Sequence, residues 1–570
     1  MYRPNRIAFP AFSVALFFST GALAADIQAG PSDYKPAVAA LQPGDTLHLA
    51  AGLYSDLLVI NDLQGTESAP IVIEGPSSGE PAVFVADPGP CCNTVEIGNS
   101  SYVVLRHVTV DGNGVDGAFG VSAKDSSSNR VHHITIEGCT FLGHDAGQQT
   151  VAISTKTPTW GWVIRGNKIV GAGTGMYLGN SNGNEPFVAG IIENNLIADT
   201  MGYNIQIKWQ NPRPDVDGMP TGPSSTIVRH NVFLKNDRPS PSGDRPNLLL
   251  GGFPDTGAGS GDLYEVYGNV FHGNTRESLV QASGRVSIHD NVFVDVAGTA
   301  ITLQNHDLPL KLARVYHNTI YGAGKGIGVG STASQGTSVF GNLIFAGTGI
   351  SGNIDDERDN LVDTVANAAQ YVKTPSVELG AMDFYPLDGK CEGSAVDLSK
   401  ASADLDRDLD FNGTSKSGYA FRGAYAGSGT NPGWAIDEGI KNTEGSVPVG
   451  GSGGEGGVAG SGGSSGSGGS GEVAGPGGSA GTGVGGAGEG GTGEGGSPSS
   501  GGTGGVSGGR AGSAQASAIN DEEPDGCACR ASRTVGNSFW MGWLAAGAVL
   551  ALRRRRVSSR HASCESELAG

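Results

Sequence analysis

Ile164-Arg165-Gly166-Asn167-Lys168-Ile169, Ile192-Glu193-Asn194-Asn195-Leu196-Ile197 and Val228-Arg229-His230-Asn231-Val232-Phe233 are copies of one phrase. The phrase returns as Val266-Tyr267-Gly268-Asn269-Val270-Phe271, Ile288-His289-Asp290-Asn291-Val292-Phe293, Val315-Tyr316-His317-Asn318-Thr319-Ile320 and Val339-Phe340-Gly341-Asn342-Leu343-Ile344. Ahead of them, Ile136-Glu137-Gly138-Cys139-Thr140-Phe141 carries Cys at the Asn position, and residues 105–110 read as a degenerate first copy. Each copy runs apolar, surface-type, turn-forming, Asn, then apolar two further on. Self-similarity at intervals of roughly twenty to forty residues marks a repeat architecture.

Short apolar-alternating pieces bounded by Gly and Asn are β-strands parted by sharp corners. Asn tolerates the left-handed backbone of a corner, and its amide bonds to main-chain groups. Stacked coil on coil, Asn167, Asn195, Asn231, Asn269, Asn291, Asn318 and Asn342 are expected to bond one another along the stack, while Ile, Val and Phe fill the interior as parallel columns. Unequal spacing between copies is absorbed by loops extruded from one side. The surface-type position reads Arg106, Glu137, Arg165, Glu193, Arg229 on successive coils. Parallel strands lie about 4.8 Å apart, so these side chains should meet with alternating sign. That is a structural ladder on a solvated face, not a catalytic set.

With its Asn column, the repeat resembles the right-handed parallel β-helix superfamily of secreted polysaccharide lyases, from Asp26 to about Gly427. The resemblance implies an all-β fold, a single-stranded right-handed parallel β-helix (a solenoid), over residues 25–430 with terminal caps. One fold hosts many functions, so the likeness specifies winding more than chemistry. The opening phrases, Leu41-Gln42-Pro43-Gly44-Asp45-Thr46-Leu47, Ala51-Gly52-Leu53-Tyr54 and Pro70-Ile71-Val72-Ile73, look like those of β-helix lyases of the alginate lyase and chondroitinase B type. A short helix over residues 38–41 is expected to cap the first coil.

The formal charge of −20 argues against nucleic acid as a partner. Seven cysteines in 570 residues leave stability to the core. Arg3 and Arg6, the apolar residues 7–23 and Ala22-Leu23-Ala24 read as an export signal over 1–24, with an uncleaved anchor as the competing reading. Outside the cytoplasm, Cys91 or Cys92 bridging Cys139 and small buried thiols are equally open readings, and the pairing of Cys391 is open too.

Acidic-polysaccharide lyases neutralise a sugar carboxylate and abstract the neighbouring proton with a base, often Lys. Ile153-Ser154-Thr155-Lys156-Thr157 resembles the Ile-Ser-x-Lys-Ser phrase of the alginate lyase and chondroitinase B family, whose Lys is the proposed base; the resemblance implies that role for Lys156. The chain departs from the family nearby. Gln149, Thr150 and Val151 stand where acidic calcium ligands belong, and Met176-Tyr177-Leu178-Gly179 stands where an Arg acid belongs.

The other candidate base is Lys208, in Tyr203-Asn204-Ile205-Gln206-Ile207-Lys208-Trp209. Long excursions follow Lys208, to Ser225, and Lys235, to Gly261, and long loops on a rigid scaffold are where sites are built. Lys208, Arg213, Arg229, Lys235, Arg238 and Arg245 outnumber Asp215, Asp217, Asp237 and Asp244 there. A basic patch of Arg213, Lys235, Arg238 and Arg245, with Trp209 to stack on a sugar ring, suits an anionic glycan; ordinary solvated loops are the competing reading. Gln281, Gln304-Asn305-His306-Asp307 and His317 either extend the same groove or line an exterior face.

Asp408-Leu409-Asp410-Phe411-Asn412-Gly413 copies the first half of a calcium loop, with Tyr419 where the bidentate Glu belongs. Asp408, Asp410 and Asn412 are therefore the candidate Ca2+ ligands, against a polar terminal turn. No cofactor is otherwise required. Residues 431–526 are a Gly/Ser-rich linker that cannot bury a core and is expected to be disordered. Cys527-Ala528-Cys529, a transmembrane helix over 539–552 and Arg553-Arg554-Arg555-Arg556 follow, then a short cytoplasmic tail over 557–570. This tail looks like the myxobacterial surface-sorting tail. The resemblance implies a sorting protease acting near Cys527, with a lipid on Cys527 or Cys529; a plain membrane anchor is the competing reading.

The expected protein is an exported β-helix tethered at the cell surface that binds polysaccharide, an acidic glycan favoured. The competing function is a polysaccharide lyase or hydrolase.

Overall fold

The computed structural model describes residues 24–87, 93–123 and 130–441. The export signal, Cys91 and Cys92, the Gly/Ser segment, Cys527, Cys529, the apolar run at 539–552 and the Arg block lie outside the described residues. Among the described residues no helix is long and apolar enough to cross a membrane. Cys139 and Cys391 are buried and form no disulfide among the described residues.

The chain winds as the expected right-handed parallel β-helix. Among the described residues most coils contribute one strand to each of three parallel sheets, A, B and C, of 15, 12 and 11 strands. One coil runs Val163–Arg165 in sheet A, Lys168–Val170 in sheet B and Thr174–Leu178 in sheet C. The next returns to sheet A at Ile191–Glu193. The repeated phrase is thus the end of an A strand, a two-residue corner and the start of a B strand. Period-two alternation sends Ile136, Ile164, Ile192, Val228, Val266, Ile288, Val315 and Val339 inward, all 0% exposed. From sheet B, Phe233, Phe271 and Phe293 stack at centroid separations of 4.5 and 4.9 Å. Each such buried ring contributes about 1.5–3 kcal/mol.

The corner works differently from the reading above. The left-handed residue is the one before the ladder Asn: Gly166, Asn194, His230, Gly268, Asp290, His317, Gly341 and Asp359 all have φ between 50° and 67°. The Asn is left to bond. Its amide donates to the Oδ1 of the Asn one coil on, at 2.9 Å from Asn167 to Asn195 and from Asn195 to Asn231. The file continues through Asn269, Asn291, Asn318 and Asn342, and it ends one coil beyond the repeats at Asn360. Cys139 joins it only through its backbone N–H, which donates to Asn167 Oδ1.

The charge ladder is present. Arg106, Glu137, Arg165, Glu193 and Arg229 occupy one register column. Arg165 lies 3.2 Å from Glu137 and Arg229 2.7 Å from Glu193. Beyond Arg229 the column turns aromatic: Tyr267, His289, Tyr316 and Phe340 stack at 4.9, 4.7 and 5.0 Å.

A helix at Tyr34–Ala39 buries Tyr34 and Val38 over the first coil. It begins before the expected 38–41 because Tyr34 must reach Tyr54 and Phe84, at 5.1 and 5.7 Å. At the other end the chain leaves the coil and folds back over its outside. Phe384, Phe411, Tyr425 and Ile436 cover Val232, Val270, Val292 and Val294 on sheet B. Val396 and Leu398 cover Tyr316 and Phe340 on sheet A. The packed chain reaches Lys441, past the boundary of 430 read from sequence: its ammonium lies 3.3 Å from the Phe411 ring centroid and donates to Gly268 O. The outward residues of sheet C are themselves largely withdrawn from solvent, Ser154 at 0%, Gln206 at 3% and Leu249 at 2% exposed.

Candidate functional site

Alternation in sheet C points Ile153, Met176, Ile205, Leu248, Val280 and Ile301 inward, so their successors Ser154, Tyr177, Gln206, Leu249, Gln281 and Thr302 form one outward column. Just past the strand ends, the next outward positions are Lys156, Gly179 and Lys208 on successive coils. The two lysines are therefore two strand spacings apart, about 10 Å. Gly179 between them carries no side chain to fill the gap, and a Cβ there would come within 3.3 Å of Lys208 Cβ.

Both ammonium groups converge on one ring. Lys156 Nζ is 5.8 Å and Lys208 Nζ 5.5 Å from the Tyr177 centroid, and Lys156 is also 5.5 Å from that of Phe119. Lys208 is 8% and Tyr177 6% exposed, so both side chains are largely withdrawn from solvent. Close enough to Lys208 to feel its charge, Asp307 has its Oδ2 2.9 Å from His306 Nδ1. The His306 hydrogen bond, with the positive charge of Lys208 beyond it, holds the Asp307 carboxyl below the usual carboxylate range. The two candidate lysines, separate motifs in sequence, thus share one site. Tyr177 is its centre, and its signal was the outward place of Tyr177 between Ser154 and Gln206.

The expected basic patch is dispersed. Trp209 lies beside Lys208, with its ring on Gly183, where a Cβ would sit 2.5 Å from Cζ3. Arg213 is turned inward, 1% exposed and paired with Asp262, with Gly222 O at 3.2 Å. It pins the 209–224 loop to the 251–262 loop and presents no charge to solvent. Lys235, Arg238 and Arg245 stand at the opposite ends of the sheet C strands. The excursion expected to run from Lys235 to Gly261 is broken by the strand Leu248–Leu250.

The 235–247 loop lies back over earlier coils. Arg238 donates to Gly171 O at 2.9 Å and Asp145 at 2.8 Å, and Gln148 holds Gly243 O and Ser242 N. Lys235 Nζ donates to Gly202 O and Arg245 O at 2.8 and 3.0 Å, and burial brings its pKa down to about 8. The Arg245 guanidinium lies 5.7 Å from the Tyr203 ring. Three of these cations, Arg213, Lys235 and Arg238, are clamps that hold long loops to the coil.

The half calcium loop is laid out as a hydrogen-bonded turn. Asp410 accepts backbone N–H groups from Asn412 and Thr414 on Oδ1 and from Ala426 on Oδ2, at 2.8–2.9 Å. Asp408 accepts from the Tyr419 hydroxyl at 2.5 Å, and Asn412 donates to Asn431. Among the described residues no three His, Cys, Asp or Glu side chains are grouped to hold a metal. His317 sits buried at the corner before Asn318, its Nδ1 3.0 Å from the Lys416 ammonium.

No protein-family profile and no curated protein matches the chain. Among solved structures, an alginate lyase from Paenibacillus sp. str. FPU-7 is similar at 15% identity, over 59% of this chain and 99% of that one, with a TM-score of 0.33. A PL6 family polysaccharide lyase from Pseudopedobacter saltans is similar at 11% identity, over 60% and 93%, with a TM-score of 0.37. Pectate lyase Pel9A is similar at 13% identity, over 74% and 98%, with a TM-score of 0.34. These are likenesses of winding; the chemistry stands on the residues of the site.

Proposed function

We propose that the chain binds an acidic polysaccharide along the outer face of sheet C. Lys156 and Lys208 neutralise sugar carboxylates on either side of Tyr177. One observation carries the reading: two lysines from different coils are aimed at one aromatic ring across the gap left by Gly179. Aromatic faces stack on sugar rings while fixed cations select the anionic ones. Ammonium groups do the neutralising, so the proposal needs no metal. The export signal and the C-terminal Cys–apolar–Arg tail support display of this module at the cell surface on its Gly/Ser tether.

Affinity electrophoresis through gels containing alginate, pectate or a glycosaminoglycan tests it. At least one acidic polymer should retard the wild-type chain, a neutral glucan should not, and Lys156→Ala with Lys208→Ala should restore free migration. Equal migration in every gel sinks the proposal.

The placing of Tyr177 between two ammonium groups favours a second reading, β-elimination. A base at the site takes the proton next to the neutralised carboxylate, the C4–O bond breaks as the C4–C5 double bond forms, and the departing oxygen takes a proton from a group of the site. Absorbance at 235 nm separates the readings: growth that Lys208→Ala abolishes makes the protein a lyase, and a flat trace over the same polymers leaves it a binder.

A further inference from the structure

The corners from sheet C to sheet A are long at residues 251–262 and 330–336, yet between Ser278–Ala282 and Gly284–His289 the corner is Ser283 alone. The surface recedes there into a concavity lined by Asp255, Ser260, Arg285, Lys311, Ser334 and Gln335. Two backbone features build it. Gly284 has φ +66°, and a side chain there would meet Phe253 Cδ2 at 2.9 Å and Gly252 Cα at 3.2 Å; glycine lets the 251–262 loop lie against the corner. The ladder then slips by one residue, Gly284 facing Leu310 while Arg285 faces Leu312. Lys311 is the residue left over, and such bulges re-aim a side chain.

The charges there are unbalanced. Lys311, with its side chain 7% exposed, donates to Pro254 O at 2.5 Å and lies 3.0 Å from Asp255, which is 80% exposed and solvated. Arg285 donates to Gln335 Oε1. Burial and the neighbouring Arg314 weaken its hold on its proton. The next carboxylate, Asp262, is taken by Arg213. Two cations with hydroxyl and amide groups beside them thus face one concavity against a single solvated carboxylate. A guanidinium fork and an ammonium point charge suit an oxyanion, and Ser260, Ser334 and Gln335 suit the hydroxyls around it.

We propose that this concavity binds one acidic sugar unit through a carboxylate or sulfate ester held by Arg285 and Lys311. The assignment rests on the reading of the chain as a binder of acidic glycan, but it names a separate site. The 251–262 loop touches Trp209 through Gly251 and Lys311 through Pro254, and so parts the two.

Calorimetric titration of the full chain with a galacturonate trimer, a 6-O-sulfated glucosamine disaccharide and cellotriose tests it. One or both acidic probes bind, which tells carboxylate from sulfate, and cellotriose does not. Arg285→Gln and Lys311→Gln each weaken that binding by about tenfold or more. Asp255→Asn tightens it by removing the competing carboxylate, a gain that no folding defect imitates. Short acidic probes that bind Arg285→Gln and Lys311→Gln as tightly as wild type, or more weakly to Asp255→Asn, overturn this site and leave the sheet C reading standing. If no acidic probe, short or polymeric, binds the wild-type chain, both fall.

Discussion

Lys416 reaches back 126 residues to place its ammonium 2.6 Å from the Asp290 carboxylate, with both side chains buried. Asp290 holds the left-handed corner before Asn291, so the pair staples the returning C-terminal segment to the coil. His317 Nδ1 and Arg407 O are the other partners of Lys416, at 3.0 Å each. Burial pushes the Asp290 carboxyl up, and Lys416 is the main influence holding it down.

Lys416→Met therefore leaves an uncompensated buried carboxylate and should cost about 3–5 kcal/mol at neutral pH. Without the ammonium, Asp290 takes up a proton more readily, so the loss should be smaller at pH 5 than at pH 8. Adding Asp290→Asn should recover part of it. Thermal denaturation of the three proteins at both pH values measures this, and a pH-independent loss contradicts it.

Asn231 closes the ladder in both directions. Its amide donates to Ile192 O, Arg229 O and Asn269 Oδ1, while its own Oδ1 accepts from the Asn195 backbone and side chain. Asn231→Ala strands buried partners on two coils and should cost about 3 kcal/mol in urea denaturation. Asn360→Ala, at the half-buried end of the file, should cost about 1 kcal/mol. Equal losses at the two positions would mean that the file is not cooperative.

His230 lies over the next corner, where a Cβ on Gly268 would collide with its ring. Gly268 also has φ +67°. Gly268→Ala should cost about 2–3 kcal/mol from the strained backbone and the clash together. In the double variant with His230→Ala the clash term vanishes, so the losses should fall short of additive. Additive losses would show that the ring readily moves aside.

Acid should unfold this protein early. Burial lowers the pKa of His132 to about 4 and of His289 to about 3, and lowers those of His144, His230 and His317 as well. A depressed folded pKa gives stability that is full above the unfolded value of 6.5 and drains as pH falls toward the folded value. Glu265 works oppositely. Burial raises it from 4.5 to about 8, so its contribution is full below 4.5 and is lost as pH rises through 8. His289→Phe keeps a ring between Tyr267 and Tyr316 and should flatten the acid limb of a melting-temperature profile, while Glu265→Gln should raise the alkaline limb. Unchanged limbs would contradict both assignments.

Much of the winding was legible because a repeat states the same physics many times. The Asn file, the alternating charges and the inward Ile, Val and Phe columns each depend on residues at one position of a short phrase. What was not legible depends on residues far apart in the chain. The charge column turns aromatic where Val396 and Leu398 return to cover Tyr316 and Phe340, and no local pattern announces that. Lys235 and Arg238 read as a solvated patch, yet their partners Gly202, Gly171 and Asp145 lie on earlier coils. Tyr177 stood out only once Lys156 and Lys208 were placed on either side of it. At the corners the left-handed backbone belongs to the residue before the ladder Asn, because Gly, Asn, Asp and His there share the turn-forming signature of the Asn itself.

The proposed seat of the acidic glycan is the outer face of sheet C at Lys156, Tyr177 and Lys208. A crystal structure of the chain soaked with a uronic-acid hexasaccharide decides this. A sugar ring is expected against Tyr177, with carboxylates within hydrogen-bonding distance of both lysine ammonium groups. An oligosaccharide bound on another face, with only water beside Tyr177, would refute the proposal.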